Sequence, residues 1–271
     1  MTNSEVNEIF DGFNNLNCLI IGDVMVDAYI WGNVNRISPE APVPVFEAKK
    51  RENRLGGAAN VALNIQALGA TPILCGIIGN DIKGKVFNEV LENQHLSTEG
   101  IIQSDERLTT CKTRIISSSH HMLRVDEEVL EPISELDSKD LINRVKNIIS
   151  TKKIDVVIFE DYDKGLLNAN NIQAIVHLLN EKKIPSCVDP KKDNFFAYKN
   201  VTLFKPNLKE LKEDGAVTIL AGPQAGPDFK GEIDWEKYPY RFKGFSEHFS
   251  FALHGPAQQV IPILKSDFKK D

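Results

Sequence analysis

The sequence predicts an α/β fold, a mainly parallel central sheet flanked by helices. Three observations predict it. Unbroken apolar runs end at glycine or acidic residues, as in Cys18-Leu19-Ile20-Ile21-Gly22-Asp23 and Ile154–Phe159. Such runs fit strands buried on both faces. They alternate with segments of helical period 10–15 residues long, the mark of βαβ units. Third, Arg54-Leu55-Gly56-Gly57-Ala58-Ala59-Asn60 joins an extended region to a helix. Its two glycines permit positive φ and let a polar ligand approach the main chain.

In order, residues 4–16 predict a short amphipathic helix through Val6, Ile9, Phe10 and Phe13. The strand Cys18–Ile21 follows, with Asp23 and Asp27 expected at its C-terminal end, where open α/β sheets bind ligands. Residues 28–53 combine strand formers with prolines at 39, 42 and 44, so they read as a β excursion off the main sheet. After Gly56-Gly57, residues Ala58, Val61, Ala62, Ile65 and Leu68 form one apolar helical face, stopped by Gly69. Pro72–Gly79 is a buried strand, and Val86, Phe87, Val90 and Leu91 mark the next helix. Residues 110–126 predict a hairpin that joins the first excursion as a β lid. Helices near 138–150 and 168–182 alternate with strands at 154–159, 184–188 and 201–204.

Composition narrows the function. There are 32 Lys and Arg against 38 Asp and Glu, a net charge of −6. That speaks against nucleic-acid binding, which needs a basic surface. No apolar run approaches the ~20 residues of a membrane span, and no signal peptide is visible, so no membrane partner and a cytoplasmic location are expected. Cys18, Cys75, Cys111 and Cys187 are scattered, as reduced core thiols are.

The chemistry gathers at strand ends: Asp23 and Asp27, then Asp161 and Lys164, then Asp189 and Lys191, then Asn207 and Glu210. Carboxylates accept from hydroxyls, lysines hold phosphate, and Mg²⁺ takes a few oxygens and keeps its waters. The mixture suits a phosphorylated polyol with a magnesium nucleotide. Taken one at a time, these residues are ordinary polar strand-end loops; recurrence at four strand ends favours a site.

On these residues the chain resembles the ribokinase-like (PfkB) carbohydrate kinases, and within them the branch that phosphorylates heptose 7-phosphate. The segments that carry the resemblance are Ile21–Asp27, Arg36–Pro44, Gly56–Ala62, Leu123–Asp126, Asp161–Gly165, Asp189–Lys191 and Lys205–Glu210. It spans roughly residues 16–212, with 1–212 as a kinase domain whose lid is built from 28–53 and 110–126. The resemblance implies MgATP-dependent phosphorylation of the sugar's anomeric hydroxyl, in the synthesis of a lipopolysaccharide precursor. It implies that Asp27, Gly56, Gly57 and Asn60 bind sugar hydroxyls, with Arg124, Asp161 and Lys164 near the sugar phosphate. Asn207, Glu210, Asp189 and Lys191 fall near the nucleotide, Glu210 acting indirectly on Mg²⁺. It also implies a homodimer formed through the lid.

The family completes its site with Gly-Ala-Gly-Asp at a late helix, which supplies an anion hole and a catalytic aspartate. That motif is absent here. The nearest approach is Ala225-Gly226-Pro227-Asp228, whose proline removes an N–H and makes Asp228 a poor base. Residues 213–271 instead form an aromatic-rich tail with Gly-Pro pairs, so the C-terminal half of the fold is read as incomplete or replaced. A truncated gene, a fused chain and a divergent replacement all fit such a tail. The alternatives to a kinase are a non-catalytic sugar-phosphate-binding or dimerisation module and an inactive gene fragment.

Overall fold

The computed structural model describes residues 2–118 and 120–207. Among the described residues six parallel strands form the central sheet: β1 (Asn17–Gly22), β4 (Thr71–Gly79), β5 (Ile101–Ser104), β8 (Val156–Glu160), β9 (Ser186–Asp189) and β10 (Leu203–Phe204), in the order β10-β9-β8-β1-β4-β5. β1 is central, paired to β4 on one side and β8 on the other. Its Leu19, Ile20 and Ile21 are fully buried, each worth about 1.5–3 kcal/mol relative to exposure.

Alternation along β1 feeds two cores. Leu19 and Ile21 join the side chains of α4 (Glu135–Thr151) and α5 (Ala169–Glu181) on one face. Cys18 and Ile20 join α2 (Ala58–Ala67) and α3 (Ile82–Asn93) on the other. The result is a three-layer αβα sandwich. α1 (Asn3–Phe13) opens with a Thr2–Glu5 capping box but buries no residue.

The lid is a second sheet, β3-β2-β6-β7, built from β2 (Val24–Ile37), β3 (Pro44–Gly57), β6 (Cys111–Ser117) and β7 (His120–Glu127). β2 runs parallel to β6 and so unites the two excursions. It extends beyond the expected 28–53, because β2 starts two residues after the end of β1.

Other differences are local. Asp27 lies within a lid strand and not at the end of β1. The strand β5 was not foreseen from the sequence, since its four residues carry no extended apolar run. Leu68 is exposed at the C-cap of α2, whose buried face is Ala58, Ala59 and Ala62. Gly69 takes φ 98° and ends that helix as expected.

Candidate active site

The C-terminal ends of β1, β8 and β9 stand side by side, with Gly22 in register with Glu160 and Glu160 with Asp189. The fit is close, for a Cβ on Gly22 would fall 2.1 Å from the Glu160 carbonyl oxygen. Asp23, the next residue, ties this rim together. Its Oδ2 accepts from the backbone N–H of Tyr162 (2.8 Å) and Lys164 (3.2 Å), and its Oδ1 from that of Leu166 (3.3 Å). Its own carbonyl accepts from Ala58 N, the first residue of α2. One buried side chain thus fixes the loop after β8 against the twin-glycine turn.

Burial pushes the Asp23 carboxyl up to about 6, with neighbouring Asp161 adding to the rise against those three N–H donors. Burial, then repulsion from Asp189, pushes Glu160 up to about 7. Both groups keep protons in the folded chain at pH values where an unfolded carboxyl has lost them. Their stabilising contribution is full below about pH 4 and is lost as pH rises through the folded values. The thermal midpoint followed by circular dichroism will therefore fall as pH rises from about 5 to about 8, and Glu160→Gln will flatten the slope. An unchanged slope would remove Glu160 from this account.

The twin-glycine turn sits against Asp27. A Cβ on Gly56 would fall 2.5 Å from Asp27 Oδ2, and one on Gly57 2.3 Å from the Asp23 carbonyl oxygen. Gly57 has φ 58° and ψ −137° and caps α2 with no side-chain hydrogen bond. Ala58 N–H is already used by Asp23, so the donors the helix end presents are those of Ala59 and Asn60. The Asn60 side chain is exposed on that first turn. Asp27 Oδ1 pairs with Arg114 Nη1 at 2.5 Å, and Arg114 and Arg54 both lie over the Tyr29 ring.

Lys164 Nζ reaches Glu128 Oε1 at 3.0 Å, and Glu128 Oε2 takes Lys112 Nζ at 2.8 Å. Lys112 also pairs with Asp126, which pairs with the more exposed Arg124. The half-buried Arg107 donates to the carbonyls of Val129, Glu131 and Lys164, binding the segment that leaves the lid after β7 to the loop after β8. Asp161 behaves differently from the expected ligand residue. It is buried, and its Oδ2 accepts from Tyr198 Oη (2.6 Å) and Asn194 Nδ2 (3.1 Å) while Oδ1 accepts from Asp163 N (3.0 Å). Its carboxylate is turned inward and shapes the loop.

On the β9–β10 side, Asp189 Oδ1 is buried without a hydrogen-bond donor among the described residues and lies 3.5 Å from Lys205 Nζ. Lys191 Nζ stands 5.9 Å from the Tyr162 ring centroid. A buried carboxylate oxygen without a hydrogen-bond donor, with one lysine ion-paired to it, fits a hydrated magnesium nucleotide. Asn207 is the last described residue, and Glu210 and Asp228 lie outside the described residues. A cleft of about 450 Å³ bordered by Asn17, Thr71, His95 and Lys152 lies at the opposite, N-terminal ends of β1 and β4 and contains none of these groups.

Sequence reading missed Lys112, Arg114, Glu128, Asn194 and Tyr198. The alternation of charge along β6 was available as a signal for the first two; the others depend on contacts across long loops.

A doubly flanked parallel sheet carrying a β lid over its carboxyl ends, with a twin-glycine helix start at that rim, defines the ribokinase-like fold. The chain belongs to the pfkB family of carbohydrate kinases, whose pattern matches residues 15–213. Curated relatives include the bifunctional protein HldE of Helicobacter pylori, 41% identical over 195 residues, covering 72% of this chain and 42% of that protein. The bifunctional protein HldE of Trichlorobacter lovleyi is 36% identical over 222 residues, covering 82% and 45%. The chain thus spans less than half the length of these relatives. Among solved structures, phosphofructokinase-2 from Escherichia coli in complex with potassium superposes with a TM-score of 0.56 at 17% identity, covering 77% of this chain and 65% of that one. Ribokinase of Arabidopsis thaliana complexed with ribose and ATP gives 0.50 at 12%, covering 74% and 67%.

Proposed function

We propose that this chain recognises a heptose 7-phosphate as the acceptor of an MgATP-dependent phosphorylation at the anomeric hydroxyl, a step of lipopolysaccharide precursor synthesis in the cytoplasm. The observation that carries the reading is the Asp27 carboxylate set against Gly56 and held by Arg114. Asp27 accepts hydrogen bonds from vicinal sugar hydroxyls. The missing Cβ atoms of Gly56 and Gly57 let the ring approach, and Asn60 supplies an amide. Lys164 and Arg124 face the sugar phosphate. Asp189, Lys191 and Asn207, with Glu210, would hold the nucleotide, and MgATP supplies the transferred phosphoryl group.

A second copy of the chain is the partner this reading expects. The lid face opposite Asp27 carries Leu123 and Val125, 56% and 41% exposed, in register with Ile115 and Thr113. Pairing of two lids would cover these side chains.

Isothermal calorimetry of the full chain with heptose 7-phosphate tests the reading. The wild type is expected to give saturable heat. Asp27→Ala is expected to weaken binding by about 10- to 100-fold, the worth of one or more charge-assisted hydrogen bonds. Absence of saturable heat, or equal affinity in the variant, would refute it.

A further inference from the structure

The lid face above the rim is ordered in rows. Cross-strand partners share a face. Arg54, Asp27, Lys112 and Asp126 form one row across β3, β2, β6 and β7, and Glu52, Tyr29, Arg114 and Arg124 form the next. Lys112 is therefore the immediate neighbour of Asp27. Its ammonium does not lean on Asp27, which is taken by Arg114. It pairs instead with Asp126 and with Glu128, and Glu128 also takes Lys164 from the loop after β8. The side chains of both lysines are 17% exposed and that of Glu128 20%. Two sheltered ammonium groups, from two separate parts of the fold, thus meet on the two oxygens of one carboxylate.

Sheltered lysines tolerate close approach only with an anion between them. Two oxygens of a phosphate span much the same gap as those of a carboxylate and bring a second charge. Ammonium groups bind phosphate as compact point charges. The geometry points to Lys112 and Lys164 as a two-lysine phosphate subsite, with Glu128 as the resident anion that the ligand's phosphate displaces. This inference rests on the sugar-phosphate reading above and adds what decides between a phosphorylated and an unphosphorylated sugar. Because Lys112 flanks Asp27 at one strand spacing, about 4.8 Å, a ligand whose hydroxyls sit on Asp27 brings its anionic end to this pair. The ligand class is a polyol carrying a terminal phosphate.

The test is the ratio of affinities of the full chain for heptose 7-phosphate and for the same heptose without phosphate, measured by calorimetry. Lys112→Met is expected to reduce that ratio about 10-fold or more, the loss of one charge-assisted contact, while Lys112→Arg keeps most of it. Glu128→Gln is expected to tighten binding of inorganic phosphate several-fold, because the internal competitor loses its charge. A purely structural network would lower the thermal midpoint of Lys112→Met and weaken both sugars equally. An unchanged ratio in Lys112→Met, or unchanged or weaker phosphate binding in Glu128→Gln, overturns the subsite. If the wild type binds both sugars but the ratio ignores Lys112, only this inference falls. If it binds neither, the sugar-phosphate reading falls with it.

Discussion

In a coupled assay of ADP release with MgATP and heptose 7-phosphate, the chain will turn over about 10⁴-fold or more slower than a complete kinase of its family. Removing a general base costs about 10²–10⁴-fold, and losing an oxyanion-type donor about 10²–10³-fold. The Gly-Ala-Gly-Asp sequence that supplies both is missing, and Ala225-Gly226-Pro227-Asp228 replaces one N–H with a proline ring. Three of the described carboxylates on the sugar side are already engaged. Asp27 is engaged by Arg114, Asp161 by Tyr198 and Asn194, and Asp23 by three backbone donors. Turnover within 10-fold of a complete kinase would show that another group takes the proton, and would overturn this assignment. The binding experiments are independent of that result, because the hydroxyl and phosphate contacts proposed above involve groups that remain.

The second large effect is expected at Gly57. A residue other than glycine at φ 58° and ψ −137° costs about 1–3 kcal/mol in backbone strain. A Cβ there also meets the Asp23 carbonyl oxygen at 2.3 Å, and moving that oxygen breaks its bond to Ala58 N. Leaving such a group unsatisfied costs about 1–3 kcal/mol more. Gly57→Ala should therefore lose about 2–6 kcal/mol in urea unfolding, a large part of the roughly 5–15 kcal/mol a domain possesses. Gly12→Ala is the control, since no atom lies within 4 Å of its added Cβ and alanine favours a helix. A loss below about 1 kcal/mol for Gly57→Ala would mean the turn relaxes freely, and its role in shaping the site would be wrong.

Much of this architecture was legible because burial on both faces leaves a continuous apolar signal. β1, β4 and β8 read clearly for that reason, and Gly69 marked the end of α2 through its left-handed backbone. β5 was missed because it is only four residues at the sheet edge. Asp27 was expected at the C-terminal end of β1 and not within a lid strand, because the face it shares with Met25, Tyr29 and Trp31 does not look like a buried strand. In the site, the strand-end positions were legible but orientations were not. Asp161 turns inward because of Tyr198, 37 residues further on. Lys112 and Lys164 meet through Glu128, whose separation from Lys164 is 36 residues. No local pattern encodes such partners.

β1 sits at the middle of its sheet, yet its two flanks are produced far apart in time. Cys18 pairs with Pro72 on one side and with Val156 on the other. At roughly 5–20 residues per second, a ribosome delivers the second flank about 7–28 s after β1 itself. Throughout that interval the strand Cys18–Ile21, buried along its length in the finished fold, has one ladder of unpaired amides and carbonyls open to other chains. The lid waits for less time, since β2 gains its second flank when Cys111 follows Val26, about 4–17 s later at the same rate. Shielding of that half-paired strand during synthesis is thus a requirement separate from the stability of the finished fold.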